Sequence, residues 1–140
     1  MVEHPPEHEL PEWPRGTPAV LCVAGPHPIP VTTPVRRGPD RVLLALGRER
    51  ETLRRLREDP RAALLVVAEE LAFTAHGSTR VLREQLESAD TVVAVELSVE
   101  RVQDHLADGR TEMLDGARWR WCNEHDGEME DRIVAELRTL

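Results

Sequence analysis

The chain of 140 residues contains no lysine; all 18 of its basic residues are arginine. That absence excludes a Schiff base to pyridoxal phosphate, a lysine nucleophile and the lysine of a P-loop. Tyrosine is absent too, so no phenol serves as an acid or stacks on a ligand. The two cysteines, Cys22 and Cys122, lie far apart. They make neither a disulfide framework nor a zinc motif, and each is expected to act as a small buried hydrophobe. No apolar run approaches the roughly 20 residues that span a bilayer. The start, MVEHPPEHELPEWP, lacks the basic beginning and apolar centre of a signal peptide. The expectation is a soluble, cytoplasmic protein with no membrane partner.

Positive charge in excess is missing as well. The net charge is −8, and the acidity sits at the ends: residues 1–15 carry −3 and residues 123–140 carry −4. The middle is nearly neutral. No basic stripe remains for DNA or RNA, so no nucleic-acid partner is expected. Two histidine-bearing stretches, HPPEH (His4 to His8) and NEHD (Asn123 to Asp126), lack the spacing of a metal site, and no metal is expected. No Ser/His/Asp set and no carboxylate pair stands out, so no catalytic residue is assigned.

What is present suits one domain with a real core. Residues 1–16 read as an irregular, acidic, proline-rich arm. TPAVLCVAG (Thr17 to Gly25) is an apolar strand closed by a turn. IPVTTPVR (Ile29 to Arg36) is extended, and its prolines mark an edge or interrupted strand. RVLLAL (Arg41 to Leu46) is a third strand. Thr52, Leu53 and Leu56 then recur at helical spacing, predicting a helix from Arg48 to Glu58 that ends at Pro60. AALLVVA (Ala62 to Ala68), AFTAHGSTRVL (Ala72 to Leu82) and TVVAVELS (Thr91 to Ser98) complete six strands. Gly77 in mid-strand predicts a bulge or a close backbone approach. Ser98 as N-cap, Val99, Val102 and Leu106 as apolar face and Gly109 beyond predict a short helix over Val99–Ala107. Trp119 and Trp121 fall on one face of ARWRWC and are expected to pack in the core or against a second subunit. Residues 128–140 form an amphipathic C-terminal helix. The fold class is therefore mainly β: a six-stranded barrel with peripheral α-helices.

The order of elements, from GTPAVLCVAG through RVLLALGRERETLRRLREDPRAALLVVA to VVAVELSVERV, resembles the pyridoxamine 5′-phosphate oxidase-like family, the FMN-binding split β-barrel. The likeness covers residues 17–105, and residues 17–127 would form the flavin-binding domain. It implies a homodimer, a small-molecule substrate and a flavin-dependent oxidoreductase using FMN. Related branches bind the deazaflavin F420 or haem, and some bind no cofactor. A non-catalytic dimer holding another ligand, or acting as a scaffold, is the alternative.

The resemblance also implies site residues. The family's phosphate cluster, commonly Ser/Arg/Lys, falls on Arg50, Glu51 and Thr52, with Thr52 where lysine is usual. Arg48 and Arg50 can supply bidentate bonds to a phosphate, beside the N–H groups of a helix start. The other reading of this arginine segment, which holds five arginines and four acids over Arg48–Asp59, is an amphipathic surface helix. Val31, Thr32 and Thr33 would run beside the flavin ring, and Arg36 could reach a substrate anion. His76 lies in the strand that approaches the dimer-related site. It is either a ligand contact or a strand residue with a local hydrogen bond.

Overall fold

The computed structural model describes residues 9–140. The histidines of HPPEH lie outside this range. Seven strands form one antiparallel sheet: β1 Ala19–Val23, β2 His27–Val31, β3 Val35–Arg36, β4 Arg41–Gly47, β5 Arg61–Ala68, β6 Leu71–Arg83 and β7 Val92–Asp104. Two helices accompany them, α1 Glu51–Glu58 and α2 Glu124–Leu137. Seven strands replace the expected six because the second divides into β2 and β3 around Thr32, Thr33 and Pro34. Among the described residues, no helix is long and apolar enough to cross a membrane.

Topology makes the sheet curl. The strand order is β2-β1-β5-β6-β7-β4-β3, so the two edge strands are neighbours in sequence. A flat sheet of seven strands would set its edges roughly 29 Å apart. The chain from Val31 to Val35 reaches about 14 Å at most. The edges must therefore approach, and the sheet rolls into a barrel with an open seam between β2 and β3. Thr33 fastens the seam: the Ala45 N–H on β4 donates to its Oγ1 at 3.0 Å.

Alternation decides what faces inward. Ala19, Leu21 and Val23 of β1 are buried while Val20 is exposed. Val42, Leu44 and Leu46 of β4, Leu64 and Val66 of β5, Phe73 and Ala75 of β6 and Val93, Val95 and Leu97 of β7 fill the interior with them. Helix α1 adds Leu53 and Leu56 to this core. A side chain this deeply buried stabilises by about 1.5–3 kcal/mol. A second cluster lies outside the barrel, where Ile133, Val134 and Leu137 of α2 cover Val35, Leu43 and Ala94. Helix α2 starts before residue 128 because Asn123 caps it, accepting from the Asp126 N–H at 2.9 Å.

Residues 9–16 of the arm form no helix or strand and are held in place at Leu10. Leu10 is 2% exposed; its N–H donates to the Pro39 carbonyl, and its own carbonyl accepts from Arg36. Trp13 packs on Phe73 with ring centroids 5.7 Å apart and donates to the Pro34 carbonyl.

Three local expectations are corrected. Residues 99–107 are not a helix. β7 runs on to Asp104, because the first half of β6 needs a partner: Ala75 pairs with Val102 and Phe73 with Asp104. Of the two places expected for Trp119 and Trp121, the core is excluded: they stack edge-to-face on each other at 40% and 44% exposure. Cys122 is exposed and Cys22 only half-buried. The expected irregularity at Gly77 is present, since the β6–β7 register shifts between His76 and Gly77.

Candidate functional site at the barrel seam

The site begins with the loop that carries β4 into α1. Arg50 is the N-cap, in extended conformation, and its side chain makes no capping bond. The first turn therefore keeps its N–H groups open, and these favour an anion.

The five arginines separate by what they touch. Arg48 reaches the carbonyls of Glu84 and Asp90, at 3.1 and 2.7 Å. Arg54 pairs with Glu51 and Glu58 along the helix. Arg55 donates to the Ala24 carbonyl at 3.2 Å and lies 3.6 Å from Glu51. Arg57 forks onto Glu84 and holds that carboxyl below its ordinary range, chiefly through the hydrogen bond. For these four, the surface-helix reading describes the contacts. Among the described residues, no acid lies within ion-pair reach of Arg50, which is exposed.

Thr52 is 2% exposed. Its Oγ1 stands 3.1 Å from His27 Nε2, and His27 Nδ1 stands 3.4 Å from Glu51 Oε2. The start of β2 is thereby pinned to the first turn of α1. His27 escaped the sequence reading, since nothing local in GPHPIP links it to a helix 25 residues on.

The segment expected beside a flavin ring occupies the seam. Val31 is buried and paired with Ala19 of β1. The Thr32 hydroxyl donates to Glu130 of α2 at 2.5 Å, and Trp121 Nε1 donates to the other Glu130 oxygen at 3.3 Å. Thr33 bonds to Ala45, two residues before Gly47 and hence roughly 7 Å along β4 from the helix loop. Thr33 and Arg50 therefore belong to one end of β4. His76 does not join them. It lies on the outer face of β6, with Nε2 3.3 Å from Gln103 Oε1.

Below the seam, a cleft of about 350 Å³ opens between the arm, β3 and the end of α2. Thr32, Thr33 and Arg36 line it, joined by Arg15, Arg37 and Arg138. Arg36 is fixed in its wall by Nε and Nη2, which both donate to the Leu10 carbonyl at 3.1 and 3.0 Å. Sequence reasoning missed Arg37 and Arg138, which only the fold brings together.

No family model matches the sequence, and no curated protein matches it. Solved structures do share the fold. A Listeria innocua protein described as a candidate pyridoxamine 5′-phosphate oxidase superposes with a TM-score of 0.54 at 17% identity, covering 64% of this chain and 88% of that one. An FAD-binding protein of Mesorhizobium loti gives 0.52 at 11% identity, covering 61% and 81%. An F420 reductase gives 0.53 at 10% identity, covering 64% and 90%. The fold class is thus the split β-barrel. The chain has the architecture of the pyridoxamine 5′-phosphate oxidase-like proteins.

Proposed function

We propose that this chain is an FMN-binding split-barrel protein, a flavin-dependent oxidoreductase working as a homodimer. The observation that carries the reading is Arg50, a guanidinium without an acidic partner among the described residues, at the uncapped start of α1. Arg50 and the first-turn N–H groups, including that of Thr52, would hold the phosphate. Val31, Thr32 and Thr33 would flank the ring from the seam, with His76 supplied by the second subunit. Arg48 would join the phosphate by releasing its two carbonyls. The flavin supplies the hydride chemistry, and the chain supplies binding and orientation. The similarity in fold to an FAD-binding protein and an F420 reductase supports a flavin-type cofactor.

A second reading rests on Thr52 and Glu130. The hydroxyl at the usual lysine position is committed to His27, and that of Thr32 to Glu130. These contacts suit a barrel that has exchanged FMN for F420 or haem, or that acts as a non-catalytic scaffold. The two readings part on a flavin titration followed by electron transfer from a reduced nicotinamide to an acceptor. Saturable FMN binding that Arg50→Glu weakens at least tenfold, together with turnover, supports the first. FMN binding without turnover, or no binding, supports the second.

A further inference from the structure

We infer that the cleft between the arm, β3 and the end of α2 is a separate binding site for a small organic oxyanion, a carboxylate or phosphate monoester, held by Arg37 and Arg138. The cleft shares Thr32 and Thr33 with the ring side of the flavin reading, but Arg37 and Arg138 are not among the phosphate residues that reading places at the start of α1.

Charge is the first ground. Among the described residues, four arginines line the cleft, Arg15, Arg36, Arg37 and Arg138, against one acid, Glu12. In a chain of net charge −8, this is a local reversal of sign. Two acids of α2 are engaged elsewhere: Asp131 pairs with Arg15, and Glu130 accepts from Thr32 and Trp121.

The second ground is a donor left over. Arg37 Nε is buried and has no hydrogen-bond partner among the described residues. A buried N–H left unmade is costly, and an acceptor that reached it by shifting the groups covering it would satisfy it. No described acid lies within ion-pair reach of Arg37 or Arg138.

Rigidity and size are the third. Leu10 holds Arg36 by two bonds, and the Arg37 N–H donates to the Arg41 carbonyl at 2.8 Å. The Arg36 side chain and the backbone of Arg37 are therefore set before a ligand arrives, which lowers the cost of binding. A volume of about 350 Å³ admits a small molecule. Guanidinium forks match carboxylate and phosphate oxygens alike. Thr33 lies on the same wall, with its hydroxyl engaged by the Ala45 backbone.

Calorimetric titration of flavin-free protein with inorganic phosphate and with succinate, at constant ionic strength and with chloride as reference, tests the site. Saturable binding of at least one is expected, weakened tenfold or more by Arg37→Gln and by Arg138→Gln. Arg54→Gln, on the outer side of α1, should leave it unchanged. Arg138 is exposed, so its variant keeps the test open should Arg37→Gln fail to fold. Preference for phosphate indicates a phosphate monoester, and preference for succinate a carboxylate. Binding no better than chloride, or equal loss in Arg54→Gln, overturns the inference. FMN titration of the same variants separates the two sites. Retained flavin affinity is expected. Joint loss of flavin and phosphate binding would make the cleft the flavin's own phosphate site and overturn a separate one. Failure of FMN to bind leaves the calorimetric result standing.

Discussion

The hydroxyl of Thr52 and the Nε2 of His27 stand 3.1 Å apart, across the junction of α1 and β2. At the position where lysine is usual in the family this chain resembles, a buried side chain faces β2 instead of a ligand. Thr52→Val keeps the shape and removes the bond. It should destabilise the fold by about 0.5–1.5 kcal/mol, read as a lower urea midpoint with unchanged slope. FMN affinity should stay within twofold, because only the backbone N–H of Thr52 is assigned to the phosphate. A tenfold loss would put the hydroxyl in the site.

Gly77 makes room for the neighbouring backbone where the β6–β7 register shifts. A Cβ there would lie 1.9 Å from the Ser98 carbonyl oxygen and 3.1 Å from the Val99 Cα. The obstacle is backbone within the β6–β7 pairing, so a rotamer change cannot relieve it. Gly77→Ala should cost about 1–3 kcal/mol or more. Ser78→Ala, one residue on, is the control and should cost little. Equal midpoints for Gly77→Ala and the native chain would show that the bulge is absent.

Glu96 predicts the acid limb of stability. It is 3% exposed, and it accepts from Arg41 at 2.6 Å and Arg80 at 2.9 Å. Burial works to raise its pKa, but the hydrogen bonds and charges of the two arginines together hold it below the ordinary 4.5. The folded chain therefore binds this proton less readily than the unfolded one. The resulting stability is present above pH 4.5 and is lost as pH falls through the lower folded value. Urea midpoints from pH 7 down to pH 3 should fall for the native chain. Glu96→Gln should be less stable at pH 7 and should show a shallower acid limb. An unchanged acid limb would remove Glu96 from the linkage.

Much of the barrel was legible because strand alternation is a local signal. Leu21, Leu44 and Leu64 declare the inner face in their own neighbourhoods. Residues 99–107 misled for the same reason. Ser98, Val102 and Gly109 resemble a capped helix locally, whereas the pairing of Val102 with Ala75 is decided by a strand some 25 residues earlier. The helix loop was legible as a segment but not residue by residue. Whether Arg48 or Arg50 is available depends on the carbonyls of Glu84 and Asp90. The cleft was hidden altogether, since Arg37 and Arg138 come from opposite parts of the chain.

The apolar interior should respond to charge whatever the ligand. Leu53 is 2% exposed and faces the barrel core from α1. Leu53→Asp buries an unpaired carboxylate and should unfold the chain or leave it insoluble. Circular dichroism of the purified variant reads the outcome. A native-like spectrum and melting point would show that the register of α1 is wrong.

The central claim, flavin held at the start of α1, is tested most directly by the visible absorption spectrum of the purified protein followed by titration with FMN. A flavin spectrum, or saturable micromolar binding that Arg50→Glu weakens at least tenfold, is expected, since a charge-assisted bond contributes about 1.5–3 kcal/mol. A colourless protein that does not take up FMN, or equal affinity in Arg50→Glu, would contradict it.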